Sequence, residues 1–347
     1  MYIRITRNLI FTIFLLITSS VILLSCNLKD EKKSTTKTKS DTISDELTLL
    51  NDKVKANPKE IAPYLERAKY YTHHDRFNEA LADVNSALDI NVKDPSVYIA
   101  LSEVYLYSGK TQRALDALKK AKQFDPENSD IDVESARVYL TMSDYKQTFN
   151  SLREALKKNP KNAEAFFISG LANEEMGDTI KAIDSYQNAV AINNKHFDAL
   201  KQLGILFSIR HDPLAVDYLR NASSIKPKSP EPLYILGMHY QENGNPDKAL
   251  SVYREIIQVD STYKLAFYNT GYVYLVYKAD YPNAISAFTK ALKIDPEYVD
   301  ALYNRGYAKE LSGDFQGARN DYQQVLRMKI NDDKAVQGLN RLDALSQ

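Results

Sequence analysis

The sequence predicts an all-α chain, a solenoid of eight stacked helix-turn-helix hairpins closed by a C-terminal capping helix. Three observations carry that prediction. From residue 61 the 347-residue sequence is self-similar at a period of 34; units of that size cannot bury an apolar face alone and must stack. Two columns of the repeat hold small residues almost throughout. Glycine and proline recur at fixed places where a helix has to stop.

The first 60 residues stand outside the repeat. Arg4 and Arg7 precede an uncharged run, Leu9–Ser25, rich in Leu, Ile and Phe. A spanning helix takes about 20 apolar residues, so this run is short for one. A basic start, an apolar middle and a small residue before a cut site form the layout of a secretory signal. Residues 1–25 are therefore expected to be a signal peptide, ending Leu23-Leu24-Ser25-Cys26. That ending resembles the bacterial lipobox, which implies cleavage before Cys26 and acylation of it, palmitate included. An uncleaved anchor would hold the array on the same side of the membrane. Residues 26–43 are polar and charged, too poor in apolar side chains to offset the entropy of ordering, and read as a tether. Within them Lys29-Asp30-Glu31 resembles the export signal of Bacteroidetes surface lipoproteins, which implies the outer membrane, exposed at the surface. Residues 44–60 read as a partial repeat helix.

The repeats are 61–94, 95–128, 129–162, 163–196, 197–229, 230–263, 264–298 and 299–332. The fifth is one residue short and the seventh one residue long; both changes are expected in the turn between helices, near Asp212-Pro213 and Lys278-Ala279-Asp280. Position 8 of the repeat reads Ala68, Ser102, Ala136, Gly170, Gly204, Gly237, Gly271, Gly306. Position 20 reads Ala80, Ala114, Thr148, Ala182, Ala215, Ala249, Ala284, Ala318. Helix axes approach to about 8 Å only over small side chains. Large residues fill positions 4, 11 and 24; Asp132, Asn173 and Lys309 break the pattern. Gly109, Gly177, Gly244 and Gly313 at position 15 end the first helix, and Pro126, Pro160, Pro227 and Pro296 at position 32 follow the second. Residues 333–347 are expected to be a solvating cap, started by Asn331-Asp332 and packed through Val336, Leu339, Leu342 and Leu345.

These columns resemble the tetratricopeptide repeat family over residues 61–332. The resemblance implies a right-handed α-solenoid whose first helices line a concave face, with positions 2, 5, 9 and 12 in the groove and position 6 beside it. Read along that strip, Phe167 and Lys201 belong to a mixed first half, and Tyr234, Met238, Tyr268, Asn269, Tyr272, Tyr303, Asn304 and Tyr307 to a tyrosine-rich second half. Tyrosine offers large contact area at low entropic cost, and asparagine can pair with peptide N–H and C=O groups. The family's clamp for acidic C-termini is absent: Lys201 is the lone lysine at position 5, followed by Ile205 at position 9.

Lysine plus arginine equal aspartate plus glutamate at 45 each, which gives no case for nucleic acid. A single cysteine cannot staple a fold or build a cysteine-rich metal site. No nucleophile elbow, phosphate loop or zinc spacing occurs, and His73-His74 read as an exposed turn. The expectation is a non-enzymatic scaffold, without cofactor or metal, that binds proteins or peptides at the cell envelope. The alternative is a lipoprotein that captures glycans or peptides.

Overall fold

The computed structural model describes residues 40–345. The signal segment, Cys26 and the tether through residue 39 lie outside them. The chain divides into two units, residues 1–55 and 56–347. Helix α1 (Ser40–Ala56) begins at Ser40 rather than at residue 44. Among the described residues no helix is long and apolar enough to cross a membrane.

The second unit is a succession of antiparallel hairpins: α2 (Ile61–His73) with α3 (Phe77–Ile90), α4 (Pro95–Tyr107) with α5 (Thr111–Phe124), α6 (Ser129–Thr141) with α7 (Tyr145–Lys158), and α8 (Ala163–Glu175) with α9 (Thr179–Ile192). Then come α10 (Phe197–Ile209) with α11 (Leu214–Ile225), α12 (Glu231–Glu242) with α13 (Pro246–Val259), α14 (Lys264–Tyr272) with α15 (Tyr281–Ile294), and α16 (Val299–Ser312) with α17 (Phe315–Met328). Helix α18 (Asp333–Ala344) closes the stack. No strand occurs among the described residues, and the unit is an α-solenoid.

The small columns are where the helices cross. All eight residues at position 20 have no exposed surface, and neither do those at position 27, from Ala87 to Val325. A second regularity links positions 8, 12 and 24. Where position 24 is Tyr186, Tyr253 or Tyr322, position 8 is glycine; a Cβ on Gly170 would lie 2.3 Å from Cε1 of Tyr186. The ring therefore passes over the bare backbone, and its hydroxyl emerges beyond the first helix to donate to a side chain at position 12. Tyr186 donates to Glu174 at 2.7 Å, Tyr253 to Gln241 at 3.1 Å and Tyr322 to Glu310 at 2.5 Å. Val84, Leu118 and Leu152 are shorter and sit beneath Ala or Ser at position 8.

The breaks in the apolar pattern are compensated. Asp132 is buried but held by Lys122 at 2.6 Å and Lys158 at 2.5 Å, so its charge is paired on both oxygens. Lys309 pairs with Asp321 at 2.9 Å, and Asn173 donates to the Ser169 carbonyl. Bidentate pairs Arg67–Asp83 and Arg305–Asp321 bind the two helices of the first and last hairpins at positions 7 and 23.

Every hairpin turns through one left-handed residue. Glycine supplies it four times, as expected; Asp75, Ser143, His211 and Ala279 supply it in the other turns, with φ between 50° and 57°. In seven hairpins the N–H at position 16 donates to the C=O at position 11, as Asp144 does to Tyr139. In the seventh, Asp280 reaches Tyr274, one residue further back. The extra residue is thus not in the turn: Val273–Tyr277 is wound as a π-helix, which takes one residue into the end of α14. The missing residue of the fifth repeat is lost at the start of α11, where Ala215 bonds to Asp212 three residues back instead of four.

The cap meets its expected face in part, through Leu339 and Leu342. Asp332 accepts from the N–H groups of Lys334 and Ala335, as predicted. The buried face, however, is Ala335, Gly338 and Leu342; Val336 is 38% exposed and Leu345 64%. Gly338 sets this rotation, because a Cβ there would lie 2.5 Å from Cε2 of Tyr322. The helix approaches over its smallest side chains.

Candidate functional site

Alternate pairs of successive first helices pack closely, α2 on α4, α6 on α8 and α10 on α12; no pair of successive second helices is among the close pairs. The first helices therefore form the inner side. From repeat six onward, tyrosine and asparagine side chains bridge them. Asn269, at position 6 of the next repeat, acts on the phenols of both Tyr234 at position 5 and Tyr253. Tyr268 accepts from Nδ2 of Asn304 at 3.0 Å.

That geometry sorts the candidate residues. Phe167 is 9% exposed, packed on Tyr186 and His196; it is core, because its ring fills the gap to the next hairpin. Lys201 is taken by Asp198 at 3.5 Å and Glu231 at 3.3 Å. Asn269 is 7% exposed, buried beside Tyr234 and Tyr253, which closes its amide to an incoming peptide. Tyr234, Met238, Tyr268, Tyr272, Tyr303, Asn304 and Tyr307 are half-buried, each with surface left open. Tyr303 and Tyr307 are stacked at 6.3 Å, 7° from parallel. Burial raises the phenols of Tyr234, Tyr268, Tyr272 and Tyr303 above the ordinary tyrosine value, so they remain hydroxyls at neutral pH.

Sequence reasoning missed two members. Tyr263 packs against Tyr234 at 5.8 Å, and Tyr298 against Tyr268 at 5.0 Å. Both stand at the helix-capping position. In repeats two to five that position is Asp94, Asn128, Asn162 and His196, and each side chain accepts a backbone N–H of the helix it starts. Tyr263 and Tyr298 make no side-chain cap bond for α14 and α16. Giving up such a cap costs about 1 kcal/mol. The signal was present in the sequence as an aromatic in a column of Asp and Asn.

The inner face of repeats three to five is electrostatic instead. Arg137 joins Glu134 at 3.1 Å to Glu164 at 2.5 Å, and Glu164 reaches His196 at 3.1 Å. Burial opposes ionisation of Glu164, but the hydrogen bonds from His196 and Arg137 and the Arg137 charge outweigh it and hold the carboxyl down at about 2.

An inner face of helices that differ in side chain but not in frame defines a repeat scaffold. Sequence models described as tetratricopeptide repeat match residues 95–128, 133–196, 230–263 and 300–328, and one described as TPR repeat matches 275–313. The chain belongs to the tetratricopeptide repeat family. The C-terminal part of a TPR repeat-containing protein from Cytophaga hutchinsonii shares the fold at 20% identity and a TM-score of 0.59, over 69% of this chain and 98% of that one. The APC/C hetero-tetramer Cut9–Hcn1 shares it at 17% identity and a TM-score of 0.50, over 87% of this chain and 59% of that one. No curated protein matches the chain.

Proposed function

We propose that this chain is a membrane-anchored scaffold that holds a segment of another protein against the inner face of repeats six to eight. The observation that carries the reading is the replacement of two helix caps by Tyr263 and Tyr298, which gives up local stability for aromatic surface beside Tyr234 and Tyr268. Aromatic rings with a polar tip are the side chains that dominate binding interfaces. The anchor is Cys26, acylated after signal cleavage, and the site of action is the outer membrane. A tether from residue 26 to residue 39 gives the array reach from the bilayer. Neither an enzymatic role nor a cofactor enters this reading.

Cross-linking and capture from membranes tests it. Tyr272 and Tyr307 are the variants of choice; Tyr268 also packs on Phe288, so its loss would disturb the fold. Tyr272→Ala with Tyr307→Ala is expected to cut the captured partner by about tenfold or more with the array still helical by circular dichroism. Cys26→Ala is expected to release the chain from the membrane fraction with its groove intact. Equal capture by the tyrosine double variant would remove the groove assignment.

A further inference from the structure

We propose that the array has a second docking surface, a furrow on its outer side at repeats three and four, and that its occupant is an acidic amphipathic helix of a partner protein. The furrow lies between the second helices α7 and α9, across the first helix α8, and holds about 630 Å³. That is the size of a ligand cleft, which runs from about 300 to 1,000 Å³. Phe149, Leu152 and Leu156 of α7 and Phe166 of α8 make its apolar walls. Phe149 is the only aromatic at position 21 of the repeat. The floor is Ser169 and Ser185, at positions 7 and 23, whose hydroxyls bond to each other at 3.2 Å. The same two positions hold Arg67 and Asp83 in the first hairpin, Leu203 and Tyr218 in the fifth, and Arg305 and Asp321 in the last. Small side chains leave open here what larger ones fill in those hairpins. One repeat earlier the equivalents of Phe166 and Leu156 are Asp132 and Lys122, joined at 2.6 Å, so the apolar wall is particular to this place.

Charge selects the occupant. Two cations stand on the lining, Arg153 and Lys157 of α7, and no carboxylate does. Both are exposed. Arg153 donates to the Asn150 side chain at 3.2 Å and makes no ion pair among the described residues. Lys157 reaches Glu154 at 2.6 Å, a surface pair that a second carboxylate can share. An occupant with apolar side chains toward Phe149 and Leu156 and carboxylates toward Arg153 and Lys157 satisfies both features of the lining. From Phe149 to Lys157 the lining runs about 12 Å along α7, roughly two helical turns. That matches the anchors of one helix face, spaced i, i+3 or i+4 and i+7. The furrow is open along its length, which suits a helix laid in it rather than an enclosed small molecule. It lies on the side of the array away from the tyrosine strip, so it goes beyond the groove reading above and does not depend on it.

The test uses the full chain in neutral detergent and three fluorescein-labelled helical peptides that share one leucine stripe, flanked by glutamate, by glutamine or by lysine. Fluorescence anisotropy, read against the same detergent without protein, is expected to show saturable binding of the glutamate peptide. The glutamine peptide is expected to bind at least about tenfold more weakly, and the lysine peptide not at all. Arg153→Gln with Lys157→Gln is expected to bring the glutamate peptide to the glutamine level with the array still helical by circular dichroism. Ser185→Leu, which fills the floor, is expected to weaken the glutamate peptide by about tenfold or more. Tyr272→Ala with Tyr307→Ala is expected to leave its affinity unchanged. Equal binding of the three peptides, or an unchanged glutamate affinity in the Arg153 and Lys157 double variant or in Ser185→Leu, overturns the proposal. Loss of binding in the tyrosine double variant places the peptide in the inner groove and also overturns it. If no peptide binds and the chain dimerises until Arg153 and Lys157 are replaced, the occupant is a second copy and the proposal falls.

Discussion

Glu164 shows how one residue can serve two neighbours. It stands at position 2 of repeat four, yet its partners are Arg137 one repeat earlier and His196 at the next helix start. Its folded value is depressed from the ordinary 4.5 to about 2. A depressed carboxyl stabilises the fold above its unfolded value and loses that contribution as pH falls through the folded one. The affected window therefore runs from about pH 4.5 down to about 2. Glu174 and Glu175 have the opposite sign, since burial raises both and acid relieves that cost. The difference between wild type and Glu164→Gln isolates Glu164. We expect the variant to melt lower above pH 5 and the two curves to converge toward pH 2; parallel curves of melting temperature against pH would contradict the assignment.

At the scale of the element, the turns show what a hairpin demands of its backbone. All eight first helices end through a left-handed residue, whether or not it is glycine. For a residue with a Cβ that conformation costs about 1 kcal/mol. Asp, Ser and His carry a polar side chain that can bond locally, but Ala279 has none. It also follows the π-helical turn, where one extra residue has already been absorbed. Ala279→Gly is expected to stabilise the seventh hairpin by about 1 kcal/mol, read as a higher urea midpoint with the same slope. A destabilised variant would mean that the methyl group packs rather than strains. The same comparison explains why length changes are tolerated. A deletion tightens one helix start and an insertion widens one helix end, and neither moves the small columns that set the crossing.

For the whole molecule, stability is local because each hairpin touches only its neighbours. The last one is closed by a helix anchored ionically to α16 by Arg341 on Glu310. Arg341→Ala is expected to raise amide exchange in α17 and α18 and to leave repeats one to four as protected as before, measured by exchange mass spectrometry. A uniform loss of protection would mean that the array unfolds as one cooperative block. The buried Arg67–Asp83 and Arg305–Asp321 pairs each join the two helices of one hairpin, which fits the local picture. The same one-dimensional frame lets the inner face change character along its length. It is ionic in repeats three to five and tyrosine-lined from repeat six.

Sequence alone determined the all-α class, the hairpin register, the crossing columns and the cap's place, because each rests on side-chain volume and backbone freedom repeated eight times at one spacing. It also located the tyrosine strip, since position 5 recurs. Only the tertiary structure decided which of those side chains remain open. Phe167 is closed off by Tyr186 and His196, Lys201 is neutralised by Glu231 thirty residues on, and Asn269 is buried. Tyr263 and Tyr298 joined the strip from a capping column, Gly338 turned the last helix, and a π turn absorbed the extra residue that the sequence placed in a loop. Most of these depend on distances between residues half a repeat to one repeat apart, and periodicity fixes which columns meet but not which atoms pair.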